Sequence, residues 1–129
     1  GLVVTAATQY MSLLGPQGLA RVASASHAGT VELADKLSTI PNVTRAFASP
    51  YFHEVVLKLN DNAKDVLRAL RAQGILGGLD ISGWYPELGQ AILVCVTETK
   101  TAADLDHYAQ QLERILSKRR EAPPCAYKN

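Results

Sequence analysis

The residues of this chain that could carry chemistry are few, and their spacing decides what chemistry is open to them. Gly74-Ile75-Leu76-Gly77-Gly78 has the glycine density of a phosphate cradle. Such a cradle joins a strand to a helix, so that amides at the helix N-terminus face the anion. Here a helical pattern leads into the glycines and an extended stretch follows, and neither GxGxxG nor a Walker-type GxxxxGK motif is present. Gly74 is read instead as the left-handed residue after a helix, with Ile75 folding back onto Leu70. Gly77-Gly78 is read as a bulge or a close backbone approach.

The histidines His27, His53 and His107 have no second ligand type at metal spacing. His107 follows Asp104 by three residues on an exposed helical face and makes a solvated pair. His27 lies among small residues and fills a packing site, while His53-Glu54 opens a strand and is better placed for function. There is no GxSxG elbow, and neither cysteine has a base nearby in sequence. Cys95 sits in an apolar run and is expected to be a small buried hydrophobe. Cys125 lies in a proline-rich stretch and is expected as a free thiol, with nothing to support a disulfide to Cys95. A Schiff-base lysine needs a sheltered pocket that lowers its pKa. Lys36, Lys58, Lys64 and Lys100 fall on polar faces or beside a helix cap, so each is expected as a solvated charge. Trp84 and Tyr85 remain as possible interface residues. Adjacent aromatics in a loop either anchor a partner or lid a small core, and both readings stay open.

The elements that must position these residues follow from periodicity. A helical pattern over residues 3–14 stops at Gly15-Pro16. A second covers 17–37, with Leu19, Val22, Ala23, Leu33, Ala34 and Leu37 on one stripe. Residues 23–30 are small apart from His27, which allows close packing and costs helix propensity at Gly29. Val43, Arg45 and Phe47 alternate as one strand. In the next, His53, Val55, Leu57 and Leu59 share a face opposite Glu54, Val56 and Lys58. A helix over 62–73 has good N-cap residues in Asn60, Asp61 and Asn62. A third strand lies within 75–82, and residues 84–87 form a loop because Pro86 removes a ladder donor. A fourth strand covers 91–97. Thr101 and Asp104 form a capping-box variant, opening a last helix with Leu105, Tyr108, Leu112, Ile115 and Leu116 on one stripe. The order predicts an α+β layer, with helices covering one face of a small, mostly antiparallel sheet.

Composition narrows the function classes. The chain of 129 residues suits one domain, and 47% hydrophobic with 19% charged residues is a globular balance. A formal net charge of +1 gives no field that favours nucleic acid or anionic lipid. Lys118-Arg119-Arg120 are explained by the negative end of a helix dipole. The strongest apolar run, Ala91 to Val96, is far short of a membrane span. The cysteine usage and the lack of a charged signal-like start point to a reducing, cytoplasmic setting. The opening residues read as the tail of a longer helix, as in a piece of a larger polypeptide.

Four segments carry a family likeness: LLGPQGL (13–19), PYFHEVVLKL (50–59), GILGGLDISGWYPELG (74–89) and ILVCVTETKT (92–101). In collinear order over residues 8–116 they resemble the C-terminal region of subunit 1 of glycine dehydrogenase (decarboxylating), the P-protein of the glycine cleavage system. The resemblance implies the small C-terminal domain of a fold-type I pyridoxal-phosphate enzyme. Residues 1–14 would end the helix that connects it to a large domain, 15–120 would form the small domain and 121–129 a flexible tail. It further implies a complex that decarboxylates glycine and passes the aminomethyl group to the lipoyl H-protein. Pyridoxal phosphate would be bound by the partner, glycine dehydrogenase subunit 2, and this chain would serve as scaffold and interface. No catalytic, cofactor-binding or metal residue is assigned. The competing reading is an independent ferredoxin-like module that binds an amino acid at a dimer interface.

Overall fold

A computed structural model describes residues 1–121. Of the tail expected over 121–129, Glu121 belongs to the last helix, and residues 122–129, with Cys125 and Lys128, lie outside the described residues. Helix α1 (Leu2–Ser38) is two helical segments in tandem, broken at Gly15 (φ 63°, ψ −179°) just before Pro16. Proline brings no amide hydrogen to continue the ladder, and glycine tolerates the turn. Of the stripe predicted for α1, Leu33, Ala34 and Leu37 are buried, Val22 and Ala23 are half-buried and Leu19 is exposed; Gly18, Ser26 and Thr30, which the prediction left out, are buried as well. The helix approaches the sheet too closely for large side chains there, since a Cβ on Gly29 would stand 2.9 Å from Val96 Cγ1.

Four strands, β1 (Val43–Arg45), β2 (Glu54–Leu59), β3 (Leu79–Asp80) and β4 (Ala91–Cys95), form one sheet in the order β1-β2-β4-β3. Every pairing is antiparallel, with Val43 opposite Leu59, Val56 opposite Leu93 and Leu79 opposite Leu93. β1 is shorter than predicted, and Phe47 falls beyond it, exposed. β4 likewise ends at Cys95. Helices α1, α2 (Ala63–Arg71) and α3 (Ala102–Glu121) cover one face. Between them and the sheet lie the fully buried Leu37, Leu57, Leu70, Ile92, Leu112 and Leu116.

Cys95 is exposed, which corrects the expectation that it is buried. Strand alternation turns Ile92, Val94 and Val96 toward the helices and Leu93 and Cys95 to the opposite, uncovered face. An apolar run without polar punctuation hides that parity in the sequence. Lys36 is also not a lone solvated charge. Its ammonium donates to Asp106 of α3 and pairs with Glu32 at 3.3 Å, and the Asp106 contact chiefly raises its pKa.

The helix boundaries follow their local chemistry. The Asn62 side chain accepts from Asp65 N at 3.1 Å and caps α2. At its other end Gly74 takes φ 78°, Ile75 N donates to Leu70 O at 3.1 Å and Gly74 N to Arg71 O at 3.0 Å. That is the paired bonding of a Schellman stop. At α3 the Thr101 N–H donates to the Asp104 carboxylate at 2.8 Å, and Asp104 N donates back to Thr101 Oγ1 at 3.3 Å. The Thr101 amide, then its hydroxyl, hold the Asp104 carboxyl below its ordinary value of 3.8. A depressed carboxyl stabilises the fold above its unfolded pKa, and that contribution is lost as pH falls through the lower folded value. Below about pH 4 the melting temperature of the parent protein is therefore expected to fall more steeply than that of Asp104→Asn. Parallel acid profiles in a melting scan would refute this role.

Candidate functional site

Three places gather the residues singled out above. The first is a cleft of about 810 Å³ beside β4, walled by Gly74 to Leu79 on one side and Leu93 to Thr97 on the other. Leu105 and Tyr108 of α3 contribute to its lining, with Lys100, Asp104 and His107 among the polar groups. The glycines are there for packing. A Cβ on Gly77 would come within 2.5 Å of Leu70 Cδ1, and one on Gly78 (φ 137°) within 2.5 Å of the Leu93 carbonyl oxygen. The close-approach reading of Gly77-Gly78 is therefore the physical one, and no helix begins at these glycines to face an anion.

Tyr108 locks this segment. Its hydroxyl donates to Gly77 O at 2.5 Å, and burial raises its pKa. Tyr108→Phe leaves the Gly77 carbonyl without that donor and is expected to destabilise the fold by about 1–3 kcal/mol. A denaturant midpoint unchanged from the parent protein would show that the bond contributes nothing.

The second place joins His27 to the segment before β2. His27 Nδ1 lies 2.8 Å from Phe52 O. A carbonyl only accepts, so Nδ1 carries the hydrogen and Nε2 is left as the acceptor in the neutral ring. His27 stacks near Phe52, with ring centroids 6.1 Å apart, and meets Tyr51 edge-on at 6.5 Å. It is thus exposed and oriented, where the sequence reading made it a packing residue. Buried Thr30 Oγ1 sits 3.2 Å from His53 O and helps seat the same segment. His53 Nδ1 is buried and has no hydrogen-bond partner among the described residues. His107 is exposed on α3, away from His27 in sequence and fold element. Among the described residues no group of three His, Cys, Asp or Glu side chains could hold a metal ion.

The third place is the turn between β3 and β4. Asp80 accepts from Ser82 N at 3.0 Å, and Trp84 N and Tyr85 N both donate to Ile81 O at 3.0 Å. A 3₁₀ turn over Pro86–Leu88 and the Ser82 hydroxyl, which accepts from Ala91 N at 3.1 Å, complete a loop tied by its own backbone. Ile81 and Ala91 are buried outside the main core cluster. Trp84 is 68% exposed and Tyr85 50%. Neither lids the core, and the loop presents both outward.

Three helices on one face of a small antiparallel sheet is the small-domain architecture of fold-type I enzymes. In a crystal structure of glycine decarboxylase (P-protein) of the glycine cleavage system, in inhibitor-bound form, it recurs with a TM-score of 0.75 at 28% identity, over 83% of this chain and 24% of that one. A NifS-like protein from Rickettsia africae ESF-5 shares the fold at 17% identity, with a TM-score of 0.64 over 74% of this chain. Residues 1–112 match the family model of the glycine cleavage system P-protein, and the chain belongs to that family. It is 84% identical, over its whole length, to a probable glycine dehydrogenase (decarboxylating) subunit 1 of Thiobacillus denitrificans, of which it covers 29%. It is 56% identical over 91% of its length to the corresponding protein of Nitrosomonas europaea, of which it covers 26%. The chain thus spans between a quarter and a third of the length of these relatives.

Proposed function

We propose that this chain is the small α+β domain of subunit 1 of a glycine decarboxylase. Residues 1–14 end a helix arriving from a larger domain, and residues 15–120 form the small domain. What supports the reading is the family match over nearly the whole chain, joined to the shared architecture with a glycine decarboxylase. The complete enzyme decarboxylates glycine and hands the aminomethyl group to the lipoyl arm of the H-protein, in the cytoplasm. Pyridoxal phosphate supplies the electron sink for loss of carbon dioxide. The described lysines do not fit the role of holding it. Lys36 is tied to Asp106 and Glu32 with its pKa raised, against the direction Schiff-base chemistry needs, and Lys58, Lys64, Lys100 and Lys118 are exposed. Subunit 2 is the partner that carries the cofactor, and this domain contributes scaffold and interface, with Trp84 and Tyr85 at the contact.

Reconstitution tests the reading. The full-length polypeptide is mixed with subunit 2 and lipoylated H-protein, and exchange of labelled bicarbonate into the glycine carboxyl is followed. Exchange is expected only with both subunits, and the pyridoxal absorbance is expected to purify with subunit 2. No exchange with all components present, or a pyridoxal band on the polypeptide containing this chain, would overturn it. The ferredoxin-like alternative has a local basis, because β2-α2-β3 is a split unit with β4 between its strands. Shared local topology does not carry function, and the family membership sets the independent module aside.

A further inference from the structure

We propose that the groove between α2 and the C-terminal half of α3 is a docking site for a carboxylate-rich segment of a partner protein. The net charge of +1 conceals an uneven spread. α2 and residues 110–121 of α3 hold seven of the 13 Lys and Arg, and three of the 12 Asp and Glu. That surface carries a local excess of four positive charges, and the rest of the chain is net negative. The two helices pack side by side and leave a groove of about 360 Å³. Arg114, Lys118 and Arg119 line it with Gln73 and Gln111, and no carboxylate does.

The fold does not account for these cations. Attraction to a helix dipole fades within the last turn. It covers Lys118, Arg119 and Arg120 but not Arg114, seven positions before the end of α3. Arg119 lies 3.7 Å from Asp65, which also holds Arg68. Arg114 and Lys118 are exposed and enter no ion pair among the described residues. They stand four positions apart on one helix face, where like charges repel. An anion seated between them relieves that repulsion.

The floor of the groove selects the anion. Ala69 and Ala72 of α2 and half-buried Ile115 of α3 give it an apolar base. A glutamate lays its methylenes on such a surface, and its two carboxylate oxygens match the guanidinium fork of Arg114. The Gln73 and Gln111 amides supply further donors. No aromatic ring lines the groove, so the stacking that holds single-stranded nucleic acid is missing. Exposed charges of this kind speed and orient the encounter of two proteins. The chemistry of the groove is independent of the reading of the chain as part of a glycine decarboxylase.

Fluorescence anisotropy on the full-length polypeptide is the test, with a dye-labelled peptide of alternating glutamate and alanine as the probe. Saturable binding is expected, and the matching glutamine-alanine peptide is expected not to bind. Arg114→Gln with Lys118→Gln is expected to weaken binding about 10-fold or more, through loss of two charge-assisted hydrogen bonds. Arg45→Gln with Lys58→Gln removes the same charge from exposed positions of the sheet and is expected to stay within about twofold of the parent. No binding, equal binding of the glutamine peptide, binding undiminished in the groove variant, or an equal loss in the sheet variant overturns the proposal. Preferential binding of single-stranded oligothymidylate, lost in the groove variant, overturns the protein partner and assigns the groove to nucleic acid. Peptide affinity must also fall with added salt, because exposed charge pairs are screened. A salt-independent affinity overturns the proposal without any variant, so the test stands even where a substituted chain fails to fold.

Discussion

Gly78→Val is expected to destabilise the domain by about 4 kcal/mol, combining a strained backbone with an overpacked contact, each worth about 1–3 kcal/mol. Gly78 sits at φ 137°, a region that side chains with a Cβ rarely enter. Its missing Cβ would stand 2.5 Å from Leu93 O, and 3.4 Å from Val94 Cγ2. The obstacle is a backbone oxygen inside a strand, so relief would require β4 to move. Gly83 is the matched control. Nothing lies within 4 Å of its Cβ position and its φ is unremarkable, so Gly83→Ala is expected to be within about 0.5 kcal/mol of neutral. Denaturant unfolding of the two variants in the full-length polypeptide checks the pair. Equal midpoints would mean that Gly78 is a flexible joint and not a packing requirement.

Replacing both Trp84 and Tyr85 by alanine is expected to weaken subunit association by about 100-fold or more, since buried aromatic anchors at interface centres each contribute roughly 2 kcal/mol or more. The fold should not suffer. The turn is held by Ile81 O, Asp80 and the Ser82 hydroxyl, and both aromatic side chains are exposed. The melting temperature of the variant is therefore expected to match the parent, and exchange activity to recover when subunit 2 is raised to saturation. Titration calorimetry between the full-length subunits gives the affinity directly. An unchanged dissociation constant would remove these residues from the interface, and an unfolded variant would show that they support the turn after all.

The sequence alone determined the elements whose signals are local. Asn62, Gly74 and the Thr101–Asp104 pair mark helix ends through bonds between residues three to five positions apart, and the structure places those bonds where the residue types require. The apolar stripe of α3 and the buried parity of β2 are likewise legible, because one face of each meets the core and the other meets water. The four quoted segments were enough to place the family.

What failed locally failed where neighbours distant in sequence set the answer. The parity of β4 is invisible in an unbroken apolar run, and only the placement of all three helices on one face exposes Cys95. Leu33, Ala34 and Leu37 bury as their spacing predicts, but ahead of them Ser26 and Thr30 face inward, where Val96, 67 positions after Gly29, lies against the helix. His27 becomes an oriented surface histidine because Phe52 O reaches it across 25 positions. Tertiary structure alone also decided that β3 begins only at Leu79, since Gly77 is held by Tyr108 from α3 and Gly78 must clear Leu93. Turns and caps are decided by atoms a few bonds apart along the chain. Which face of an element is covered, and which backbone edge is left open, is decided by the three-dimensional meeting of elements that the chain order does not announce.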